Sequence, residues 1–511
     1  MMLFSGQTPV FRLMVIAYTS YNYTIKNTLI FEYINNIKLS DSIDTVFLKL
    51  NNFSTLRLFQ KVLIMLTLRN LIFTVVSGMI LSHPILNYAQ DFAEKFTLSQ
   101  TIEAAIKANL RLQQSQDEVV AAQENQKARA TEFLPTLNAK YEYIHRDKPT
   151  TQALGTQNGE IVDVLTNPDD EYNFITSFSQ PIFSGFELIN RYKIARLGLD
   201  AAELSKRITR QDVILDAKNA YYSILKTQKL VNVARDTVRQ IAAQKEVVEN
   251  MHKVDMSPLN DLLQSQVQLA NARQRLVTAQ NNMEIAKSQF NSLLRRPINA
   301  PVAIMEVLNY KPFVYDIDYC LTEAKTNRLE IEVAELEFQI AQKDYNLSEK
   351  DYFPSVDLIG TWTHRGTSWD ADGGEGIGDS EFWDIRVAAS WNFWEWGRTS
   401  YGVREKLSRL SQVKSRKEEI LDNIDLEVKQ AYLKTIESAK NMITIEKAIE
   451  QAKENLWITE ERFKEQVSTA TDVLVAQTLE TETITNYYNA LYDYKIAKAV
   501  LYRAIGQEEL E

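Results

Sequence analysis

The sequence predicts a mostly α-helical protein with a transmembrane β-barrel part, laid out twice as helix, β-hairpin, long helix and second helix. Three observations predict it. Residues 179–186 (SQPIFSGF) recur as 390–397 (SWNFWEWG), 216–222 as 427–433 and 261–266 as 472–477, all 211 positions apart (432 minus 221, for example). Long stretches carry neither proline nor glycine: 103 residues between Gly402 and Gly506, and 59 between Gly198 and Pro258. Short runs with period-two alternation lie beside a cluster of tryptophans. Two copies far longer than a solenoid repeat mean a duplicated domain-sized unit. Upstream, Pro135 matches Pro354 at an offset of 219, so the register slips by 8 and one copy has the longer loop.

The elements follow in order. Residues 1–64 are rich in Asn, Ile, Phe, Thr and Tyr without a convincing period. Residues 65–90 have the layout of a signal peptide: a positive start with Arg69, an apolar run from Leu71 to Leu81, then a polar stretch with Pro84 and Ala89. Translation is therefore expected to begin at Met65, with 1–64 an upstream mistranslation; a structured N-terminal extension is the alternative. The first repeat is expected over 91–296. It holds a helix over 99–134, a hairpin over 136–182 with a polar loop at 147–171, a long helix over 187–254 and a second helix over 259–295. A linker, 297–319, contains Pro297, Pro301 and Pro312. The second repeat, 320–507, holds a helix over 320–352, a hairpin over 355–393 around a glycine-containing loop, a long helix over 398–465 and a helix over 470–504. Residues 508–511 form a tail.

The helices rest on composition and period. The proline-free stretches are rich in Ala, Leu, Lys, Gln and Glu, strong helix formers. Ile224, Val231 and Val238 form one apolar row, and Ala234, Ile241 and Val248 another, which is a coiled-coil seam. Each long helix would reach about 100 Å at 1.5 Å per residue. The strands rest on alternation: Trp383, Ile385, Val387, Ala389, Trp391 and Phe393 interleave with Asp384, Arg386, Ala388, Ser390 and Asn392. Strands of about ten residues cross a bilayer when tilted. Six of seven tryptophans (362, 369, 383, 391, 394 and 396) fall in one window, as an interfacial girdle requires. A soluble hairpin with an aromatic core is the competing reading.

Composition narrows function. A net charge of −10 disfavours nucleic acid as a partner. One cysteine, Cys320, rules out an intrachain disulfide or a cysteine metal cluster, and reads as a small buried apolar residue. His145, His252 and His364 lack metal-ligand spacing, and no phosphate loop, nucleophile elbow or HExxH occurs. The reading calls for no enzyme activity and no cofactor. Four strands cannot close, and open edges in hydrocarbon leave backbone groups unpaired, so several chains must pool their strands. Two chains give eight strands and three give twelve; a polar inner face favours the larger count.

These residues resemble the TolC-like outer-membrane efflux family over essentially all of 96–507. The likeness rests on the order of elements, given twice, and on Leu134-Pro135 and Phe353-Pro354, residues 181–185 (PIFSG), Ala220-Tyr221 and Ala431-Tyr432, and residues 472–474 (DVL). It implies a homotrimer whose twelve-stranded barrel in the outer membrane continues into an α-helical tunnel across the periplasm. It implies a passive exit duct of a tripartite efflux or type I secretion system. The partners would be outer-membrane lipid, a periplasmic adaptor (membrane fusion) protein and an inner-membrane RND or ABC transporter. Gate candidates are Asp472 and Asp261, with Val475 where the family can carry a second aspartate. Capping of the following helix explains both aspartates equally, and the two roles are compatible. Adaptor-docking candidates are the tips Asp255, Met256, Ser257, Gln466, Val467 and Ser468; the family usually has glycine where this chain has Asp255 and Gln466. Trp362, Trp383, Trp391, Trp394 and Trp396 are the girdle candidates. A soluble periplasmic coiled-coil adaptor or scaffold is the alternative.

Overall fold

A computed structural model describes residues 95–155, 161–306 and 312–508. The expected leader at 65–90, the residues 1–64 before it and the last three of the tail lie outside the described residues. The element order is β1 (Lys95–Phe96), α1 (Leu98–Ala108), α2 (Leu110–Thr131), β2 (Thr136–His145), β3 (Thr150–Gly155), β4 (Ile161–Asn167), β5 (Asp170–Ser184), α3 (Glu187–Lys253) and α4 (Leu259–Leu293). The second half runs β6 (Ala303–Ile304), α5 (Ile317–Asn327), α6 (Leu329–Ser348), β7 (Ser355–Gly366), β8 (Glu381–Ser390), α7 (Arg398–Lys464) and α8 (Ala470–Ala504). The long helices α3 and α7 each have 67 residues, and α4 and α8 each have 35. The duplication is thus preserved in length as well as in order.

Each expected leading helix is two helices. The breaks fall at Asn109 and Arg328, both extended in ψ (124° and 115°) and 219 positions apart (328 minus 109). Asn109 is readable as a cap, since its Oδ1 accepts from the N–H groups of Arg111 and Leu112. Arg328 is not. It is buried, and its guanidinium donates to Ala504 O at 3.0 Å, Glu427 at 2.9 Å and Glu330 at 3.0 Å. Arg503 joins the same group through Glu330 (2.7 Å) and Asp212 (2.8 Å). Burial alone would raise the Glu330 carboxyl, but Arg503 and Arg328 outweigh it and hold it below its ordinary value.

A four-stranded antiparallel sheet runs in the order β2-β5-β7-β8. Strand ends follow proline. Pro135 and Pro354 lack an N–H, and the ladders start at the next residues, Thr136 opposite Ser179 and Ser355 opposite Ser390. For this reason Trp391 and Phe393, expected within the last strand, lie beyond it: β8 ends at Ser390. Within β5, Pro181 coincides with a bulge, where Pro181 opposes Asp357 and Phe183 opposes Val356. The expected polar loop at 147–171 is a hairpin of its own, β3–β4. Its signal was the β-branched Ile161, Val162 and Val164. The short parallel pair β1–β6 had no sequence signal.

Apolar packing joins the helices. Leu98 and Ile102 of α1, Val213 and Tyr221 of α3, Phe290 of α4 and Tyr492 of α8 form one buried cluster. Cys320 and Ala324 of α5, Val428 of α7 and Leu501 of α8 form a second. Cys320 is a buried thiol, as expected, and burial pushes its pKa up to about 11. The two motif tyrosines each hold one part of the linker between the repeats. Tyr221 donates to Met305 O at 2.5 Å, and Tyr432 packs edge-on against Phe313.

The strand-to-helix joints are the most constrained turns. Gly185 and Phe186 precede α3, and Trp396 and Gly397 precede α7; all four have φ between 53° and 85°. Each copy places one glycine among two left-handed residues. At Gly185 a Cβ would stand 2.5 Å from the Lys350 carbonyl oxygen, whereas at Gly198, inside α3, it would meet nothing within 4 Å. We expect Gly185→Ala to cost about 2–3 kcal/mol through left-handed strain and overlap. Gly198→Ala should instead stabilise by about 0.5–1 kcal/mol. Thermal unfolding of the two variants in detergent should move in opposite directions.

Candidate functional site

Two regions carry the candidate functional residues: the sheet and the helical tips. In the sheet, cross-strand partners share a face. One face collects Leu137, Ala139, Tyr141 and Tyr143 of β2, Tyr172, Phe174 and Phe178 of β5, Leu358, Gly360 and Trp362 of β7, and Trp383, Ile385, Val387 and Ala389 of β8. Thr176, Gln180 and His364 interrupt it, and His145, Asp170 and Glu381 lie on it at the loop end. Leu137, Tyr141, Tyr143, Trp362, Trp383, Ile385 and Val387 are all exposed in the single chain. Gly360 has no side chain because the Phe178 ring of its partner occupies that space. The opposite face is mainly polar: it carries Asn138, Lys140, Glu142, Asn173, Ser177, Asp357, Thr361, Arg365, Asp384 and Arg386, with Ile144, Ile175, Ile359 and Phe382 as its apolar members. One face is thus fit for lipid and the other for water.

All five girdle candidates are exposed, and they form two groups. Trp362 and Trp383 are cross-strand partners near the loop end of the sheet, with Trp362 Nε1 donating to Glu381 at 3.0 Å. Trp391, Trp394 and Trp396 lie at the helical end, beyond β8. The two groups are eight residues apart along the chain at their nearest members, Trp383 and Trp391, or about 26 Å of extended strand.

The tips are two copies of one backbone motif. Asp255 and Gln466 adopt left-handed φ values of 59° and 60°. Met256 N–H donates to Met251 O (2.8 Å) and Asp255 N–H to His252 O (3.0 Å); Val467 N–H donates to Arg462 O (2.8 Å) and Gln466 N–H to Phe463 O (3.0 Å). This 6→1 and 5→2 pairing is a Schellman cap, which normally has glycine in the left-handed place. Aspartate and glutamine therefore leave the backbone path unchanged. Asp255, Met256, Gln466 and Val467 are exposed. Ser257, expected as a contact residue, is buried, and its carbonyl bonds to the His252 ring at 2.8 Å; Ser468 is half-buried, with its hydroxyl on Thr459 O.

The two gate candidates are placed differently. Asp472 is exposed in the first turn of α8 and completes a capping box: its carboxylate accepts from Thr469 N–H and Oγ1, each at 2.8 Å, while Thr469 Oγ1 accepts from Asp472 N–H. The Thr469 backbone N–H and hydroxyl, aided by Arg462, hold its carboxyl below the ordinary value. That contribution is complete above the ordinary pKa of about 4 and is lost as pH falls through the lower folded value. Asp261 is half-buried in the first turn of α4, whose N-cap is Pro258, and it makes no capping bond. Capping by the side chain thus applies to Asp472 and not to Asp261, because proline supplies no hydroxyl for a box. Val475 is exposed beside Asp472. The two tips are tied together by Thr471 Oγ1 on Gln264 (3.0 Å) and by an apolar cluster of Val248, Phe463, Ala470 and Val473.

The histidines stay apart. His145 bonds Asp170 at 2.8 Å, His252 the Ser257 carbonyl, and His364 stands 3.6 Å from Glu381. Among the described residues no group of three His, Cys, Asp or Glu side chains could hold a metal ion. From the tip geometry, Asp255→Gly and Gln466→Gly should each stabilise the hairpins by about 1 kcal/mol, the cost of an L-residue in the left-handed region. A raised thermal midpoint checks this; unchanged or lowered midpoints in both would refute it.

Residues 101–294 and 320–507 match the family of outer membrane efflux proteins. No curated protein matches the chain. Among solved structures, the outer membrane protein VceC of Vibrio cholerae is 16% identical with a TM-score of 0.68, over 80% of this chain and 96% of that one. The CmeC outer membrane channel of Campylobacter jejuni is 15% identical with a TM-score of 0.69, over 81% and 87%. The open MtrE outer membrane channel of Neisseria gonorrhoeae is 17% identical with a TM-score of 0.65, over 80% and 89%. At these identities the likeness is one of fold. The two matched segments are the two repeats of the duplication, and the chain belongs to the outer membrane efflux protein family.

Proposed function

We propose that this outer-membrane efflux channel is built from three copies of the chain. Their twelve strands would close a barrel in the outer membrane, and their long helices would continue it as a tunnel through the periplasm. The sheet carries the reading: an apolar face, a polar face and two edges that are unpaired among the described residues. Eight strands make a barrel that side chains nearly fill, whereas twelve leave room for water against the polar face. The two tryptophan groups then lie at the two interfaces. Their spacing of about 26 Å along the strand is near the height of an outward apolar band, about 25 Å, before tilt shortens it.

Transport through such a duct is passive. Cargo enters at the helical tips and leaves outside the cell. The exposed tip residues Asp255, Met256, Gln466 and Val467 are suited to meet a periplasmic adaptor. That adaptor would join the duct to an inner-membrane RND or ABC transporter that supplies the energy, in a tripartite efflux or type I secretion system. Three Asp472 carboxylates around the entrance would enrich cations and repel anions; Asp261, uncapped and in the matching place of the first repeat, is the second contributor.

Two experiments test this. Trp383→Arg and Val387→Arg place a charge on the lipid face, at about 2–4 kcal/mol for Val387 near the midplane and about 0–1 kcal/mol for Trp383 at the interface, and should lower the trimer in outer-membrane fractions, Val387→Arg the more strongly. Asp384→Ala, on the polar face, should not. Normal trimer yield from both arginine variants would sink the barrel reading. For the gate, Asp472→Asn should lower the cation-to-anion permeability ratio in planar bilayers. Thr469→Ala removes the cap but keeps the carboxylate and should leave that ratio alone; equal effects from the two would reduce Asp472 to a cap.

A further inference from the structure

The loop between β7 and β8 does not stand clear of the sheet. Residues 367–374 turn back over it as a strap, and two contacts fix where the strap lies. Gly366 pairs with Tyr172, so a Cβ there would point to the apolar face. That space is taken by the strap itself, with Asp372 N at 2.6 Å and Ala371 C at 2.7 Å. Farther along, the Tyr141 hydroxyl, also of the apolar face, donates to Trp369 O at 2.5 Å. The strap thus reaches from β7 across β5 to a side chain of β2. It does so on the side that carries Tyr143 and Phe174, not the side that carries Arg365 and Asp384. Ala371 is 1% exposed, whereas Trp369 is 79% exposed.

We propose that this strap is a lipid contact at the boundary between headgroups and acyl chains, with Trp369 as its anchor. The proposal rests on the barrel reading above and adds to it an element outside the strands. Three observations favour lipid as the occupant. First, the strap continues the apolar face of the sheet without a break. Second, its level is right. Tyr141, Phe174 and His364 form one row across β2, β5 and β7. That row is two residues, or about 7 Å, from the row of Trp362 and Trp383. Trp369 therefore joins the tryptophan group at the loop end, where an indole keeps its ring in apolar and its N–H in polar surroundings.

Third, the strap backbone is prepared to leave water. Thr367 N–H donates to Gly373 O (2.9 Å), Gly373 N–H to Arg365 O (3.0 Å) and Ala371 N–H to Ser368 O (2.9 Å). The Trp369 carbonyl has the Tyr141 hydroxyl. Backbone groups left unpaired against hydrocarbon are costly, so these bonds are a condition for lying on a lipid face. The turn that makes them is tight. Ala371 and Gly373 are left-handed, at φ 53° and 76°, and a Cβ on Gly374 would stand 2.1 Å from Thr367 Oγ1. The side chains set the depth. Asp370 and Asp372 are exposed, and the Ser368 hydroxyl donates to Asp370 at 2.6 Å. Two carboxylates bar the strap from the hydrocarbon core and hold it among headgroups.

Spin labelling of the full chain, reconstituted in vesicles of phosphatidylcholine and phosphatidylglycerol, tests this. The native Cys320 is buried and stays unlabelled. Nitroxides are placed by Trp369→Cys on the strap, Val387→Cys on the apolar face and Glu375→Cys past the strap. The ratio of collisions with oxygen to collisions with a nickel chelate should be highest at 387, then 369, then 375. Position 369 should exceed 375 by about threefold or more. Gly366→Ala overlaps the backbone of Ala371 and Asp372; it should lift the strap and bring the ratio at 369 down to that at 375, with trimer retained. Tyr141→Phe removes only the tether and should raise the mobility of the label at 369. A label at 369 as water-exposed as that at 375, with 387 in lipid, would overturn the contact. A label at 369 shielded from both reagents would overturn it too, in favour of a neighbouring copy over the strap. No response to either Gly366→Ala or Tyr141→Phe would refute the strap's position. A water-exposed label at 387 would instead remove the barrel reading itself.

Discussion

Backbone hydrogen bonding at the sheet edges governs this structure. Among the described residues, β2 and β8 each present an unpaired row of N–H and C=O groups on the flank of a sheet whose one face is apolar. In water such an edge is an aggregation template; in hydrocarbon each unpaired group costs several kcal/mol. Neither edge can be satisfied by the other within a chain, because four twisted strands are too few to curl shut. In the proposed assembly, strands of neighbouring copies would continue the sheet and pair both edges. The helical part inherits the same incompleteness, since α7 and α4 expose Leu433 and Leu263 at positions whose counterparts are buried.

The duplication makes that incompleteness interpretable. Two units fused in one chain have the same helix lengths and the same hairpin register, so one unit is a template for the surroundings of the other. What differs between the units marks where they have been specialised. The buried Arg328 and Arg503 group binds α3, α6, α7 and α8, and its counterparts are different residues: Asn109 and Ser292 stand where Arg328 and Arg503 stand. In the first unit a single ion pair, Arg111 with Asp216, joins α2 to α3. Arg503 and Arg328 together hold the Glu330 carboxyl below its ordinary value against the effect of burial, and the group is a fastener specific to the junction between the repeats.

Much of this was legible from residues alone, and for physical reasons. Proline-free runs and heptad rows set the long helices to within one or two residues, because interior helix positions are decided by local propensity and period. Strand alternation set the faces of the sheet correctly. Three features escaped. The Arg328 break has no capping residue and is held by partners 99 and 176 positions away. The β1–β6 pair is two residues long, below any periodic signal. The end of β8 was set by Pro354 on the opposite strand rather than by β8 itself, so the alternation through Trp391 and Phe393 ran past the ladder. Among site residues, the exposure of Asp255 and Gln466 was readable from the break in helix pattern, whereas the burial of Ser257 depended on His252 folding back over the tip.

The ends of the two long helices show why their lengths are equal. At the sheet end each helix leaves a strand through two consecutive left-handed residues, Gly185-Phe186 or Trp396-Gly397, which turn the chain sharply and fix where the helix starts. At the tip end each stops in a Schellman cap with a left-handed Asp255 or Gln466. Both terminations strain an L-residue by about 1–2 kcal/mol, so neither would form by default. A helix one turn longer in one repeat would carry its tip about 5.4 Å past the other. The contacts between tips, Thr471 with Gln264 and Phe463 with Val248, would then be lost together. Equal length is thus the condition for the tips to meet at one level, and the strained residues at both ends are what enforce it.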